Sequence, residues 1–194
     1  MSLTVAMTPA PLPGLVLAAG GGTRFGGPKA LARTATGEAW SVRAARTLQD
    51  AGIAPATVVL GAAPDAAALL PDDVHVVLAE AWQDGLAQSL RTGLLALAGS
   101  AGEAVVVTLV DLPGLPVEAV LRIIAGDAGA DVLRQAVYAG RPGHPVLIGR
   151  NHWEPLIEEL SGDHGARRYL VREGVEEVEC GDLWSGEDVD VPLR

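Results

Sequence analysis

The chain has little positive charge, little sulfur and no long apolar run. Its 24 acidic residues face 14 basic ones, for a formal net charge of −10. A surface that gains affinity by neutralising nucleic-acid phosphates needs clustered Lys and Arg, so a general nucleic-acid-binding role is excluded. The single cysteine, Cys180, permits no internal disulfide and no cysteine-based metal cluster, which suits a reducing compartment. Apolar residues never run unbroken for the roughly 18 positions that a membrane-spanning helix requires. The opening "MSLTVAMTPAPLPG" lacks the basic start and long apolar core of a signal peptide. Residues 1–11 read as a short disordered lead, and the expected location is cytoplasmic. Scarcest among the charged residues is lysine: the basic set is otherwise all arginine, and Lys29 is the one exception.

At 194 residues, 49% apolar and 20% charged, the chain has the size and composition of one globular domain, expected over 1–194. "GLVLAA" reads as a buried strand running into glycines, and "WSVRAARTLQDAG" as a helix stopped by Gly52. "ATVVLG" and "VHVVLAE" read as strands either side of a short helix "PDAAALLP". "GLAQSLRTGLLALAG" is a helix with Leu86, Leu90, Leu94 and Leu97 on its core face, and "EAVVVTLVD" a buried strand ending at an acid. A helix beginning at Pro116 follows. Such alternation implies an α/β fold, a mostly parallel sheet between helical layers in a three-layer α/β/α arrangement. "DVLRQAVYAGRPGHPVLIGR" reads as a β-hairpin or pair of edge strands added to that core, followed by two helices and a last strand "EEVEC".

In an open parallel sheet, ligands bind at the carboxyl ends of the strands, where the first strand delivers "LAAGGGTRFGGPKA". Two phosphate-binding schemes fail there. A dinucleotide fingerprint begun at Gly20 requires glycine where Phe25 stands, and no acid ends the second strand to hold a ribose. A P-loop from Gly22 to Gly27 is broken by Pro28, and Ala30 supplies no hydroxyl after Lys29. What remains is a loop of exposed backbone N–H groups with Arg24 and Lys29, suited to wrapping a polyphosphate. Asp111, closing its strand before "LPG", lies on the same edge, and the acidic tail "EDVDVP" brings Asp188 and Asp190. No G-x-S-x-G elbow supports a hydrolase reading of Ser89, His144 and Asp163, and four scattered histidines make no zinc site.

The loop resembles the L-A-A-G-x-[GS]-x-R-[MF]-G-x-x-K signature of the MobA-like nucleotidyltransferases, which have a GT-A-like, Rossmann-like fold. Leu17, Ala18, Ala19, Gly20, Gly22, Arg24, Gly26 and Lys29 match, with Phe25 where methionine is commoner. "DLPG" is similar to the family's metal-binding D-[ML]-P, and "DVDVP" to its D-x-D-T-P ending, with Val191 in place of threonine. "GLAQSLRTG", "GRPGHP" and "GDHGAR" resemble segments of the molybdenum-cofactor cytidylyltransferases. The resemblance covers about 14–191 and implies an enzyme that moves a nucleoside monophosphate from a triphosphate to a phosphorylated acceptor, with Mg2+ as cofactor. In that reading Leu17, Ala18, Ala19, Gly20, Gly21, Gly22, Arg24, Lys29, Gly85 and Ser89 hold the nucleotide. Lys29, Arg24 and Asp111 are catalytic, Asp111 and Asp190 (or Asp188) bind metal, and His144 and Arg167 face the acceptor, Asp163 capping the helix of Arg167. "LAAG" resembles the CTP-using members, where guanylyl enzymes carry "LAGG". A molybdopterin acceptor is then implied, with contact to a molybdoenzyme or its chaperone. A sugar phosphate, methylerythritol phosphate, phospholactate and a non-transferring or redox relative stay open as alternatives. The segment around Trp40 also departs from the family's more aliphatic run.

Overall fold

The computed structural model describes residues 11–162 and 165–191; the lead expected at the start and Asp163 fall outside them, Pro11 apart. Strand β1 (Gly14–Ala18) is followed by helix α1 (Trp40–Asp50), β2 (Ala56–Leu60) and β3 (Val74–Leu78). Then come α2 (Leu86–Ala96), β4 (Ala104–Leu109) and α3 (Val117–Ile124). The hairpin β5 (Leu133–Tyr138) and β6 (Arg141–Gly149), helices α4 (Trp153–Glu159) and α5 (Arg167–Arg172), and β7 (Glu176–Glu179) complete the order. The strands make one sheet ordered β3-β2-β1-β4-β6-β5-β7, parallel except at β6, which pairs antiparallel with both β4 and β5.

The expected three layers are present, and the strand period of two sorts the core between them. Val16 and Ala18 of β1 pack with Leu48 of α1 and Val120 and Ile123 of α3 on one face. Leu15 and Leu17 pack with Leu90 and Leu94 of α2, Leu156 of α4 and Leu170 of α5 on the other. Each such leucine, fully buried, contributes about 1.5–3 kcal/mol relative to exposure. Strands β1, β2 and β4 are buried on both faces, as their unbroken apolar runs require.

The expected hairpin is present as β5–β6, and of the two placements the edge is not the one taken: β6 lies beside β4, and β7 pairs parallel with β5. Val146, Leu147 and Ile148 of β6 are accordingly buried on both faces of the sheet. One expectation is corrected here: Leu86, expected in the core, is 36% exposed, because it is the first residue of α2, directly after the Gly85 cap.

Helix α2 lies close to β1 because it carries Gly93 on the contact. A Cβ there would fall 2.5 Å from Leu15 Cδ2. Gly93→Val is therefore expected to lift α2 and destabilise the fold by about 1–3 kcal/mol, measured as a lower urea midpoint at unchanged slope.

Candidate active site

Beyond Ala18 the chain enters the glycine loop, whose closure depends on one residue. Gly22 has φ +60°, and its carbonyl accepts from the N–H groups of Gly26 (2.9 Å) and Gly27 (3.1 Å). A Cβ at Gly22 would lie 1.9 Å from the Gly27 carbonyl oxygen, so only glycine permits this turn. Next comes a 3-10 turn at Lys29–Leu31, fixed to α1 by a buried hydrogen bond from Ser41 Oγ to the Ala30 carbonyl at 2.9 Å. The lysine is thus delivered from a rigid base.

Its ammonium, on a side chain only 13% exposed, donates to Asp111 Oδ2 at 3.0 Å and to Asp190 Oδ1 at 2.9 Å. Arg24 reaches Asp190 more loosely, at 3.4 Å and largely in solvent. Val110 continues the β4 pairing by donating to the Leu17 carbonyl, which sets Asp111 beside the start of the loop. The tail is held by Val189 N–H on the Asp111 carbonyl (3.0 Å) and by Trp184, which lies against Gly114 and meets Tyr138 edge to face at 5.4 Å. Burial alone would lower the Lys29 pKa, but hydrogen bonds to Asp190 and Asp111 outweigh it and hold the ammonium above its ordinary value. The Lys29 hydrogen bond and charge hold the Asp190 carboxyl below its usual range.

One carboxylate oxygen is left over. Asp111 Oδ1 is buried and has no hydrogen-bond partner among the described residues, a costly state that a cation would relieve. One oxygen each of Asp111, Asp188 and Asp190 lie within 4.8 Å of one another. An all-oxygen carboxylate set of this kind suits a hard divalent cation such as Mg2+ or Mn2+.

Arg24, Lys29, Asp111 and Asp190 border a cleft of about 450 Å³. Leu17, Ala19, Gly20, Gly21, Gly22, Arg24, Lys29, Gly85, Ser89, Asp111 and Asp190 all line it. Of the residues expected to meet nucleotide, Ala18 stands apart, since its side chain packs into the α1 face of the core. Asp188 lies on the outer side, in a neighbouring open depression with Trp184. His144 and Arg167 come together in a second pocket of about 190 Å³, joined to the cleft through Leu17 and Leu86, which border both. His144 belongs to β6. Burial pushes its imidazole down to about 4. Helix α5 begins after Ala166 with no side-chain cap among the described residues.

Trp82 and Gln83 also line the cleft and were not anticipated. The Trp82 ring lies against Gly21 and Gly61, and an indole three residues before Gly85 was the available signal. Two departures from the family pattern turn out to touch: Phe25 and Trp40 have ring centroids 5.1 Å apart, with Lys29 Nζ 6.0 Å from the Phe25 ring. Val191, the third, is 65% exposed.

Comparison with known proteins follows the same lines. The MobA-like NTP transferase domain matches residues 14–178. Nicotine blue oxidoreductase of Paenarthrobacter nicotinovorans is 32% identical over 189 residues, 91% of each chain. Rv0371c of Mycobacterium tuberculosis H37Rv superposes with a TM-score of 0.79 at 28% identity, covering 95% of each chain. The same protein in complex with manganese gives 0.70 at 28% identity, over 94% of this chain and 91% of that one. A nucleotidyl transferase from Methanothermobacter, 21% identical with a TM-score of 0.71 over 87% of each chain, shares the fold.

The depressed His144 pKa has a stability consequence. Between pH 6.5 and about 4 the unfolded chain holds a proton at this site that the folded chain does not, so stability falls as pH is lowered through that window. The loss expected from this residue between pH 6.5 and 5 is about 1–2 kcal/mol, measurable as the difference in pH dependence of urea denaturation between wild type and His144→Phe.

Proposed function

The chain belongs to the MobA-like NTP transferase family, and from that membership we propose that it transfers a nucleoside monophosphate from a triphosphate, CTP by preference, to a phosphorylated acceptor such as molybdopterin. The observation that carries this reading is the meeting of Lys29 with Asp111 and Asp190 at the rim of the glycine loop. A phosphate loop alone binds; a loop joined to carboxylates with one oxygen unsatisfied is equipped for transfer.

In this mechanism the backbone N–H groups of Gly20 to Gly22 and the side chains of Arg24 and Lys29 hold the β and γ phosphates. Gly85, at φ +102° ahead of α2, and Ser89 one turn on border the far side of the cleft and take the base and ribose. Asp111 and Asp190 are the residues that would hold Mg2+, and the ion would supply charge compensation for the phosphates. An acceptor phosphate oxygen, presented from the second pocket beside His144 and Arg167, attacks the α-phosphorus in line. The α–β bridging oxygen leaves with pyrophosphate, and Lys29 and Arg24 take up the charge that develops there. No covalent enzyme intermediate is needed. In the cell such a product passes to a molybdoenzyme or its chaperone, in the cytoplasm; among the described residues no helix is long and apolar enough to cross a membrane.

CTP rests on Ala19, the second alanine of "LAAG", and the acceptor on the segments around His144 and Arg167. Sugar phosphates, methylerythritol phosphate and phospholactate are the competing acceptors. A second reading, redox action on an aromatic substrate, is favoured by the 32% identity to nicotine blue oxidoreductase.

Pyrophosphate release measured with each of the four triphosphates, Mg2+ and molybdopterin decides between them. Release with CTP is the expected result; no pyrophosphate with any of the four triphosphates would favour the redox reading. Lys29→Ala and Asp111→Asn are each expected to lower turnover on the order of 10²-fold or more, and near-normal turnover in either would overturn the transfer mechanism.

A further inference from the structure

The first turn of α1 touches three separate pieces of the candidate site. Trp40 packs on Phe25 of the glycine loop, Ser41 Oγ donates to the Ala30 carbonyl beside Lys29 at 2.9 Å, and Arg43 Nε donates to the Pro113 carbonyl, two residues past Asp111. Ala39 gives the helix no side-chain cap, and the polar groups of its first turn go to neighbouring loops instead.

The Asp111 segment needs such a partner. Strand β4 ends at Leu109 and α3 begins at Val117, so Asp111 sits in irregular backbone between them. Pro113 brings no N–H of its own. Val110 N–H reaches the Leu17 carbonyl at 3.1 Å, Leu115 N–H the Leu112 carbonyl at 3.0 Å, and Val189 N–H the Asp111 carbonyl at 3.0 Å. Among the described residues Arg43 is the one side chain that donates to the backbone of this segment. From the tail, the Trp184 ring closes on Gly114, where a Cβ would fall 3.0 Å from Nε1.

A staple that merely holds the fold together is the competing account, and exposure speaks against it. Ala44, Ala45 and Leu48, all buried, already anchor α1 on the sheet. The Arg43 side chain is 43% exposed, where charge pairing contributes little to stability. Its aim is nevertheless set, because Glu38 lies 3.7 Å from Arg43 Nη1 and accepts from Arg46 Nη1 at 2.6 Å. A planar guanidinium serves both directions at once, with Nε on Pro113 and Nη1 toward Glu38.

We propose that Arg43 is a positioning residue which, together with Ser41, fixes the separation of Lys29 and Asp111. Ser41 grips the chain one residue past the lysine and Arg43 grips it two residues past the aspartate, both from one rigid turn. The 3.0 Å contact between Lys29 Nζ and Asp111 Oδ2 is then set by α1 as well as by the ion pair. This inference rests on the transferase reading only for its effect on turnover; the geometry at Lys29 is measured without nucleotide.

Lys29 is the chain's only lysine, so lysine labelled with carbon-13 gives a single Cε methylene in NMR spectra of the full chain, read at one fixed pH. With the ammonium held between carboxylates, its two Cε protons are expected to resolve in wild type, and Asp111→Asn supplies the reference for loss of one partner. Arg43→Met is expected to move the Lys29 signal at least halfway to that reference. It is also expected to lower kcat about tenfold while KM for CTP changes less than about threefold. Arg43→Lys, which keeps a cationic donor, is expected to recover most of both, and Arg46→Met to change neither. Arg43→Gln is measured beside Arg43→Met, so that a fold disturbed by methionine alone does not shield the inference. An unresolved Cε pair in wild type, an unchanged Lys29 signal in either folded variant, or no recovery with Arg43→Lys would overturn it. So would an Arg46→Met effect as large as that of Arg43→Met, a rise in KM without a fall in kcat, or failure of both Arg43→Met and Arg43→Gln to fold. A Lys29 signal that follows Arg43 while no triphosphate yields pyrophosphate keeps the positioning role and removes the transfer reading, so the two failures are told apart.

Discussion

The site is organised by one ammonium held between two carboxylates, one from the middle of the chain and one from its acidic tail. Asp111 is 82 residues from Lys29 and Asp190 is 161 away, yet Lys29 Nζ lies 3.0 and 2.9 Å from them. Each partner is placed by backbone rather than by the ion pair itself. The loop closes on Gly22, Asp111 follows the last β4 pairing, and the tail is tied to the Asp111 carbonyl. With Lys29 and Asp111 mostly buried, the pairing is over-determined: removing the lysine leaves a buried carboxylate without compensation, which costs more than the pair contributes. Phe25 and Trp40 pack together beside it, with Lys29 Nζ 6.0 Å from the Phe25 ring.

Arg24 and Lys29 supply two positive charges and Asp111, Asp188 and Asp190 three negative ones, 2 − 3 = −1, in a chain of net charge −10. A bare polyphosphate entering that field meets repulsion, and among the described residues one buried carboxylate oxygen, Asp111 Oδ1, lacks a partner. A divalent cation would reverse the local sign to +1 and take that oxygen as a ligand. The fit of the site to a divalent metal is thus a consequence of the carboxylates that surround the only lysine.

Much of this was legible in the sequence because the relevant signals are local. Apolar runs and helical spacing fixed the order of strands and helices, and a glycine loop followed by a lone lysine marked the ligand edge. The failures are non-local. Nothing in "DVLRQAVYAGRPGHPVLIGR" says that its second strand, not its first, pairs with β4. Leu86 satisfies the helical core pattern, and only its place as the first residue of α2 brings it to a cleft. Trp82 is unremarkable by spacing; its meaning lies in the bare backbones of Gly21 and Gly61 that it covers.

The placement of β6 also decides what the site can reach. In a sheet whose other strands run one way, a reversed strand begins where they end. Its register, Val107 opposite Val146 and Ala104 opposite Gly149, carries His144 to the level of Leu109, at the carboxyl edge beside the cleft. Had β6 run parallel, that edge would have received its apolar end, "VLIG", and the second pocket would have lost His144 and the Gly143 carbonyl that orients Gln135. One antiparallel strand within the sheet thereby sets His144 and Gln135 in the pocket next to the glycine-loop cleft, which the parallel strands alone, with their unbroken apolar runs, do not provide.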